Sequence, residues 1–233
     1  MAKSIFITGT GTDIGKTYVA GLIVKKIADA GKSAAYYKAA MSGNDRREDG
    51  TLIPGDALFV RQTAGIEQPL DEMCPYVYEN AYSPHLASRI EGHPVELSVV
   101  KEGYKKVCEK YDYVTMEGSG GILCPLRMEE GQTLWLEDVI RTLRLPSVIV
   151  ADAGLGTINS VVLTVEHMHA RKLPVKGILF NHYHKGDRME EDNIAMCQHR
   201  TGLPVLACIP DDAQQLPMEP ADVAALDEEV SFT

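Results

Sequence analysis

SIFITGTGTDIGKTYV, residues 4–19, joins a short apolar run to a glycine-rich loop and to the start of an amphipathic segment. The apolar run at 4–9 is typical of a buried strand. Beyond the loop, apolar side chains recur at helical spacing as far as Ala30, and Gly31 offers a C-terminal cap. A strand that passes through glycines into a helix presents backbone N–H groups and the positive end of the helix dipole, which favour an anion such as phosphate. This stretch therefore indicates a nucleotide-binding α/β fold.

The glycine-rich loop, GTGTDIGKT at 9–17, departs by one position from the usual phosphate-binding pattern G-x-x-x-x-G-K-[ST]. Thr10 stands where the first glycine belongs, with a glycine on either side. The chemical requirements are still met, because the Lys16 ammonium can reach phosphate oxygens and the Thr17 hydroxyl can bind Mg²⁺. The alternative is a tight strand-to-helix turn with a surface lysine. The buried strand before the loop and the amphipathic helix after it favour a nucleotide site.

Apolar runs and amphipathic segments alternate along the rest of the chain. The runs are too continuous for a sheet with one face in water, which predicts an α/β, P-loop NTPase-like fold with a mostly parallel sheet and helices on both faces. We expect a single ATP-binding domain over residues 1–233. The predicted strands span 4–9, 33–39, 113–118, 147–154, 175–181 and 203–210. The predicted helices after the first span 56–65, 98–111, 134–145, 159–173 and 190–202.

Three further expectations follow from this pattern. Ligands of such folds lie beyond the carboxyl ends of the strands, so the loops after the predicted strands should gather at one edge of the sheet. Ser98 is a candidate N-cap for the helix at 98–111. The longest irregular stretch, 41–55, is long enough to be either disordered or functional.

The composition is that of a globular protein, with 45% hydrophobic and 24% charged residues. The net charge of −10 is concentrated in an acidic tail, 211–233, which holds seven acids and no lysine or arginine; without those acids the net charge is about −3. We expect this tail to be solvated surface, and the acidic balance argues against a nucleic-acid partner. Five cysteines without paired spacing favour a reduced, intracellular setting. With neither a signal peptide nor a long apolar run, the sequence predicts a cytoplasmic protein with no membrane partner.

Three acids are candidates for a magnesium site, since Mg²⁺ takes oxygen ligands. Glu117 lies at the end of one predicted strand beside a glycine run, and Asp152 ends another strand in a similar way. Asp56 opens a predicted helix. The alternatives are a solvated loop acid for Glu117 and a plain N-cap for Asp56.

Two other polar residues lie at strand ends. Lys38 closes the second predicted strand, where it can neutralise a second anionic group or simply extend its ammonium into water. Asn181 ends the strand at 175–181, where its amide can meet both a donor and an acceptor of a purine edge or cap a loop.

Together these segments resemble the dethiobiotin synthetase family, ATP-dependent enzymes of biotin biosynthesis. GTGTDIGKT is similar to that family's G-T-[DG]-T-x-[VI]-G-K-T, which accounts for the displaced glycine. YYKAAMSG is similar to its Y-K-P-x-x-S-G, YSPHLAS to its [TS]-S-P-H-x-A-S, MEGSGG to its V-E-G-A-G-G and GTINSVVLT to its G-x-I-N-H-x-L-L-T. LFN and LPVLACIP follow in the same order, so the resemblance covers about residues 3–210.

The resemblance implies ATP- and Mg²⁺-dependent carboxylation and ring closure of 7,8-diaminopelargonate with CO2, drawn from bicarbonate, to give dethiobiotin. One amine would carry a carbamate, and ATP would phosphorylate it to a carbamic–phosphoric anhydride. The second amine would then close the cyclic urea and release phosphate. Such chemistry depends on positioning and on charge stabilisation rather than on a side-chain nucleophile.

The resemblance also implies roles for individual residues. Those implied to act on the carbamate and on the transferring phosphate are Thr12, Lys16, Lys38 and Ser42. Those implied to hold Mg²⁺ are Thr17, Asp56 and Glu117. Those implied to contact ATP are Asp13, Ile14, Gly15, Lys16, Thr17, Tyr18, Asp56, Glu117, Gly118, Asn181, His182, Pro210 and Asp211.

The resemblance further implies a homodimer that holds the carboxylate of the substrate across its interface. The residues implied to bind the carboxylate in this way are Gly156, Thr157, Ile158, Asn159 and Asn193. Ser42 is also implied to bind the substrate, beside its reacting nitrogens.

Three residues depart from the family pattern. Ala39 replaces the usual proline after Lys38, and Asp13 is one methylene shorter than the usual glutamate. Ser160 replaces the usual histidine after Asn159.

Two other functions remain open at this point. A partitioning or switch ATPase of the same fold usually carries a second lysine early in the loop, where this chain has Thr10 and Gly11. An amidoligase or transferase domain from cofactor synthesis is less favoured, because we see no glutaminase part in these 233 residues.

Overall fold

Strands and helices alternate through most of residues 2–232, the part of the chain that the computed structural model describes. The ends of the predicted domain, residues 1 and 233, lie outside it. The strands are β1 (Lys3–Gly9), β2 (Ala34–Lys38), β3 (Tyr113–Glu117), β4 (Pro125–Glu129), β5 (Gln132–Trp135), β6 (Ser147–Asp152), β7 (Val175–Asn181), β8 (Val205–Cys208) and β9 (Glu228–Glu229). The helices are α1 (Lys16–Asp29), α2 (Gly55–Ala64), α3 (Leu70–Met73), α4 (Pro84–Ile90), α5 (Leu97–Lys110), α6 (Leu136–Leu143), α7 (Thr157–Ala170), α8 (Arg188–Thr201) and α9 (Pro220–Leu226).

Six parallel strands form the main sheet in the order β2-β3-β1-β6-β7-β8. The short β9 joins β1 antiparallel at Lys3 and Ser4. Because the six long strands share one direction, the loops that follow them meet at a single edge of the sheet. The predicted mostly parallel sheet is therefore confirmed.

Apolar side chains cover both faces of the sheet. Ile5 and Ile7 of β1 pack on one face with residues of α1, α2 and α9, while Phe6 packs on the other face with residues of α5, α6, α7 and α8. Successive side chains of a strand point to opposite faces, so a strand buried on both faces reads as a continuous apolar run. This confirms the prediction of helices on both faces.

Two local predictions are wrong. The helix expected over 134–145 begins only at Leu136, because Gln132–Trp135 pairs with β4 as a hairpin and the Trp135 N–H donates to Asp138 Oδ2 at 2.9 Å. Ser98 does not cap α5, which already begins at Leu97 and has Glu96 before it.

The acidic segment after Pro210 is folded, which corrects the expectation that it is solvated surface. It forms α9 and β9 and buries five apolar side chains. Its acids lie mostly on the outer side, apart from Asp227, which is buried. The buried apolar side chains are Leu216, Val223, Ala224, Leu226 and Val230.

The irregular stretch at 41–55 is held by hydrogen bonds within the stretch and to residues 77–78. Asn44 is buried, donates to the Tyr78 carbonyl at 2.8 Å and accepts from the Gly55 N–H at 2.9 Å. Isolated bridges join Met41 to Val77 and Arg46 to Leu52. This stretch therefore forms a loop after β2 with a defined conformation.

Across residues 2–232, no helix has the length and apolar character required to cross a membrane.

Candidate nucleotide-binding site

The loop between β1 and α1 brings backbone N–H groups to the amino end of α1. Gly15 precedes α1 with a φ of 83°, a left-handed conformation that L side chains rarely adopt. A Cβ at this position would also collide with Nδ2 of Asn181. Among the described residues no side chain caps α1, and its first turn carries no acid. The partial positive charge of the helix end is thus left for an anion from outside the chain.

Lys16 lies at the start of α1 and is only 7% exposed. Its Nζ donates to the carbonyl of Gly11 at 2.6 Å, which takes one of its three N–H donors. Burial lowers the pKa of this ammonium, although the negative charge of Glu117 opposes that effect. Lys38 contributes further to the lowering by repulsion. An incoming phosphate would relieve both costs.

Glu117, the last residue of β3, is 1% exposed and is held by three side chains. Its Oε1 accepts from Lys38 Nζ at 2.7 Å and from Thr17 Oγ1 at 2.9 Å. Its Oε2 accepts from the Tyr36 hydroxyl at 2.7 Å. Lys38 and Glu117 are partners in the β2–β3 ladder, so their side chains leave the sheet on the same face.

Lys38 joins two carboxylates, because its Nζ also lies 2.6 Å from Oδ2 of Asp56. Burial favours the neutral amine, yet the carboxylates of Glu117 and Asp56 raise the pKa of Lys38 above its ordinary value. Burial and the charge of Glu117 raise the pKa of Tyr36 well above its ordinary value, so its hydroxyl keeps its proton. The cluster therefore holds a permanent cation and a neutral donor around one buried carboxylate.

Apart from Tyr36, these side chains line a cavity of about 310 Å³ at the carboxyl ends of β1, β2 and β3. Its size suits a small-molecule site. The predicted site residues that the structure brings together around this cavity are Thr12, Asp13, Gly15, Lys16, Thr17, Lys38, Ser42, Asp56 and Glu117.

Sequence reasoning missed several residues of this site. Ala40 and Met41 line the cavity, as do Ser119 and Gly120, and Ser119 Oγ donates to the Ala40 carbonyl at 2.9 Å. The glycine run at 118–121 contributes two of these residues. Its position after a buried strand, on the ligand edge, is the signal that could have found it.

Thr17, Asp56 and Glu117 fit a magnesium ion, since they offer hydroxyl and carboxylate oxygens around one cavity. In the described part of the chain, no group of three or more His, Cys, Asp or Glu is arranged to hold a metal ion. The remaining ligands would therefore be phosphate and water oxygens, as is usual for Mg²⁺. The third acid candidate, Asp152, lies elsewhere, and its Oδ1 accepts from the Gly154 N–H at 2.6 Å.

Asn181 lies at the end of β7, beside the phosphate loop. Its Nδ2 donates to the Ile14 carbonyl at 3.1 Å, while its buried Oδ1 has no hydrogen-bond partner within residues 2–232. A buried acceptor without a donor is costly, and a donor from a bound ligand would remove that cost. The next residue, His182, pairs through Nδ1 with Oδ1 of Asp211 at 2.7 Å.

The other residues implied to contact ATP have varied surroundings. The Tyr18 hydroxyl donates to the Ala213 carbonyl and so ties α1 to the segment after β8, where Pro210 is exposed. Gly118 is buried, and a Cβ there would approach Leu136 Cδ2 to 2.8 Å. In this structure Gly118 therefore serves close packing of β3 against α6.

The residues implied to hold the substrate's carboxylate, 156–159 at the start of α7 and Asn193 on α8, are not among those lining the cavity. Gly156 precedes α7 with a φ of 92°, and Asn159 is exposed. Asn193 is buried and donates through Nδ2 to the carbonyls of Ala153 and Gly154 at 3.1 and 3.0 Å. Its amide thus holds the loop between β6 and α7 from behind.

The chain matches the AAA domain family over residues 3–218. It is similar to the ATP-dependent dethiobiotin synthetase of Brachyspira hyodysenteriae, with 48% identity over 93% of this chain and 96% of the relative. The proteins of the same name from Clostridium novyi and Clostridium botulinum are 46% and 40% identical, over 90% and 94% of this chain and 88% and 96% of theirs.

Solved structures with the same fold include a cell division complex, MinC:MinD of Aquifex aeolicus, with a TM-score of 0.58 and 14% identity over 97% of this chain and 94% of that one. A ParA family ATPase from Chlorobium tepidum gives a TM-score of 0.56 with 13% identity, over 91% of this chain and 86% of that one. At such identities the likeness concerns the fold alone. It confirms the predicted P-loop NTPase-like architecture.

Proposed function

The chain belongs to the ATP-dependent dethiobiotin synthetase family. We propose that it catalyses the reaction of that family in the cavity around Lys16, Lys38 and Glu117. The activity assigned by this membership is ATP-dependent formation of dethiobiotin in biotin biosynthesis. The reaction is assigned to this cavity because two buried lysines and two carboxylates line it together with the phosphate loop.

The phosphate loop and Lys16 bind the triphosphate. The amino end of α1 faces an anion without competition from an acid of its own first turn. Lys16 keeps two further N–H donors for phosphate oxygens, and its burial makes each such bond strong. The residues of the loop that would surround the phosphates are Thr12, Asp13, Ile14, Gly15, Thr17 and Tyr18.

Lys38 stabilises the anion on which the reaction depends. One amine of 7,8-diaminopelargonate combines with CO2 to give a carbamate, whose oxygen attacks the γ-phosphorus of ATP and releases ADP. The second amine attacks the carbonyl carbon of the resulting carbamic–phosphoric anhydride, the C–O bond to phosphate breaks, and phosphate leaves. Lys38 is a permanent cation beside this path, and Thr12 and Ser42 line the same cavity.

Thr17, Asp56 and Glu117 would hold Mg²⁺, which supplies charge neutralisation to the phosphates when bound. Thr17 and Glu117 are already joined by a hydrogen bond, so their oxygens lie close together before any ligand arrives. This pre-organisation lowers the cost of assembling the site.

The base of ATP would lie along the loops after β7 and β8. The unpaired Oδ1 of Asn181 can accept from an exocyclic amine of a purine. His182 and Asp211 are linked beside it, and Pro210 offers an exposed apolar ring.

We assign the loop at 156–159 to the carboxylate of the substrate and to a homodimer interface. Leu155, immediately before this loop, is 90% exposed, more than any other large apolar side chain of the described residues, so its burial against a partner would be favourable. Asn193 supports the loop through its bonds to Ala153 and Gly154.

Free thiols at the five cysteines agree with a reduced setting such as the cytoplasm.

The test is direct. The purified protein is incubated with 7,8-diaminopelargonate, bicarbonate, Mg²⁺ and ATP, and dethiobiotin and ADP are quantified by mass spectrometry. We expect one ADP for each dethiobiotin, and no product when any component is omitted. ATP hydrolysis that proceeds without the diamine, as in a switch ATPase, would contradict the proposal.

A further inference from the structure

Tyr36 lies beneath the cavity and touches Glu117 from inside the core. It precedes Lys38 by two residues on β2, so both side chains leave the sheet on the same face. Its ring is fully buried among apolar residues of α1 and α2, and its hydroxyl lies 2.7 Å from Oε2 of Glu117.

The two oxygens of Glu117 consequently have separate partners. Oε1 meets Lys38 and Thr17, both of which line the cavity, whereas Oε2 accepts from Tyr36 in the core. A carboxylate held by a buried donor on one oxygen is restricted in its side-chain torsion, and its other oxygen stays directed at the partners on the far side.

We propose that Tyr36 is a positioning residue for the magnesium–ATP site, in that its hydroxyl fixes the orientation of Glu117 toward Thr17 and Lys38. The inference rests on the proposed function, since it takes Glu117 as an acid that holds Mg²⁺. Loss of the hydroxyl leaves Oε2 buried without a donor. The carboxylate is then expected to rotate toward another hydrogen-bond donor, so that its oxygens no longer point at the metal position.

The next residue provides a matched control. Tyr37 is also buried, on the same strand but on the opposite face of the sheet. Its hydroxyl donates to the Val100 carbonyl at 2.9 Å. Tyr37→Phe therefore removes one buried hydrogen bond of similar length without touching Glu117.

The experiment measures affinity for a non-hydrolysable ATP analogue by titration calorimetry, with Mg²⁺ and with Mg²⁺ removed by chelation. We expect Tyr36→Phe to weaken the Mg²⁺ complex by about tenfold or more, the usual effect of losing a partner behind a metal ligand. The metal-free complex should change by less than about twofold, because the phosphate loop is untouched. Tyr37→Phe should leave both affinities close to those of the wild type.

The same variants are then assayed for dethiobiotin formation over a range of Mg²⁺ concentrations. Tyr36→Phe should raise the Mg²⁺ concentration needed for half-maximal rate, with little change in KM for the diamine. Equal losses for the two nucleotide complexes, or equal effects of the two tyrosine variants, would reduce Tyr36 to a packing residue. A wild-type chain whose nucleotide affinity ignores Mg²⁺ would instead refute the proposed function.

A double variant covers the case in which Tyr36→Phe does not fold. In Tyr36→Phe/Glu117→Gln the buried carboxylate is gone, so the double variant should fold and should match Glu117→Gln alone in nucleotide affinity. If Glu117→Gln folds but the double variant does not, or if the double variant binds nucleotide more weakly than Glu117→Gln, the ring or the hydroxyl acts independently of Glu117 and the inference is overturned.

Discussion

Lys38 combines full burial with a permanent charge because two carboxylates flank it. Its Nζ lies 2.6 Å from Asp56 and 2.7 Å from Glu117, and together these acids raise its pKa despite desolvation by burial. A cation of this kind is pre-organised for a developing negative charge, since little rearrangement is needed when the charge arrives.

Lys38→Ala and Lys16→Ala should each lower kcat for dethiobiotin formation on the order of 10²-fold or more, because a charge partner is lost from a site with little water. Lys38→Ala should also lower the melting temperature, since Glu117 is left buried without its cation. Steady-state rates and thermal unfolding measure the two effects. Lys185→Ala, a change at an exposed lysine, serves as control, and turnover of either site variant near the wild-type rate would remove the lysine from its assigned role.

Asp227 is a buried acid outside the site. Neither of its carboxylate oxygens has a hydrogen-bond partner in the described chain. Burial raises its pKa from 3.8 to about 7, although Lys3 and Lys32 oppose this by attraction. The folded chain thus binds a proton that the unfolded chain has already released, so the stability due to this group is present at low pH and is lost as pH rises from about 4 to about 7.

Asp227→Asn should remove this pH dependence. Relative to the wild type, the free energy of unfolding of the variant should rise by about 2 to 3 kcal/mol between about pH 5 and pH 8, at about 1.4 kcal/mol per pH unit up to the folded pKa. Urea unfolding at a series of pH values gives the comparison. Glu229→Gln, an exposed acid on β9, should follow the wild-type profile. Parallel profiles for wild type and Asp227→Asn would show that the carboxyl ionises normally.

The partners of a residue can be predicted from the sequence when they are close to it along the chain, and not when they are far away along the chain. Lys16 and Thr17 were predicted because a strand, a loop and a helix place them within a few residues of each other. The Tyr36–Glu117 bond joins residues 81 positions apart, and only the β2–β3 register brings them together. Asp227 was assigned to solvent because nothing local to it shows that β9 folds back onto β1.

The phosphate loop depends on one glycine for two reasons. Gly15 has a φ of 83°, and a Cβ at this position would strike Asn181. Gly15→Ala should therefore distort the loop and displace Asn181, with at least about a tenfold loss of ATP affinity, equivalent to about 1.4 kcal/mol. Gly11→Ala should have a much smaller effect, since in the described structure a Cβ there has no neighbour within 4 Å.

Titration calorimetry with ATP and Mg²⁺ compares these two glycine variants. Similar losses for both would mean that flexibility of the loop in general, rather than the conformation of Gly15, sets the affinity. Circular dichroism spectra confirm that both chains retain their helices.

Elements buried on both faces were the easiest to predict. All six parallel strands were found from their apolar runs, and their bounds differ from the prediction by no more than two residues at either end. The hairpin of β4 and β5 was missed because its residues are mixed in polarity and half exposed. The helix α9 was missed because the whole segment 211–233 was assigned from its seven acids, although α9 itself contains only one acid, Asp222.

An exposed apolar side chain near the start of α7 favours the proposed association of two copies of the chain. Leu155 precedes the loop assigned to the carboxylate of the substrate and is 90% exposed. Exposure of this degree has a hydrophobic cost that a partner surface removes. A site completed by a second copy would also explain why the residues at 156–159 do not line the cavity around Lys16.

Leu155→Asp should convert the proposed dimer into monomers, because a charge placed at a buried contact must lose its hydration. Sedimentation velocity measures the change in mass, and calorimetry should show ATP affinity unchanged within about twofold, since the phosphate loop is untouched. The KM for 7,8-diaminopelargonate should rise by about tenfold or more, as expected when one charged contact is lost. Ile90→Asp, a change at a residue that is 56% exposed on α4, tests for an effect of added charge alone. A wild-type monomer with full activity would place the substrate's carboxylate within a single chain, whereas a Leu155→Asp dimer would place Leu155 outside the interface.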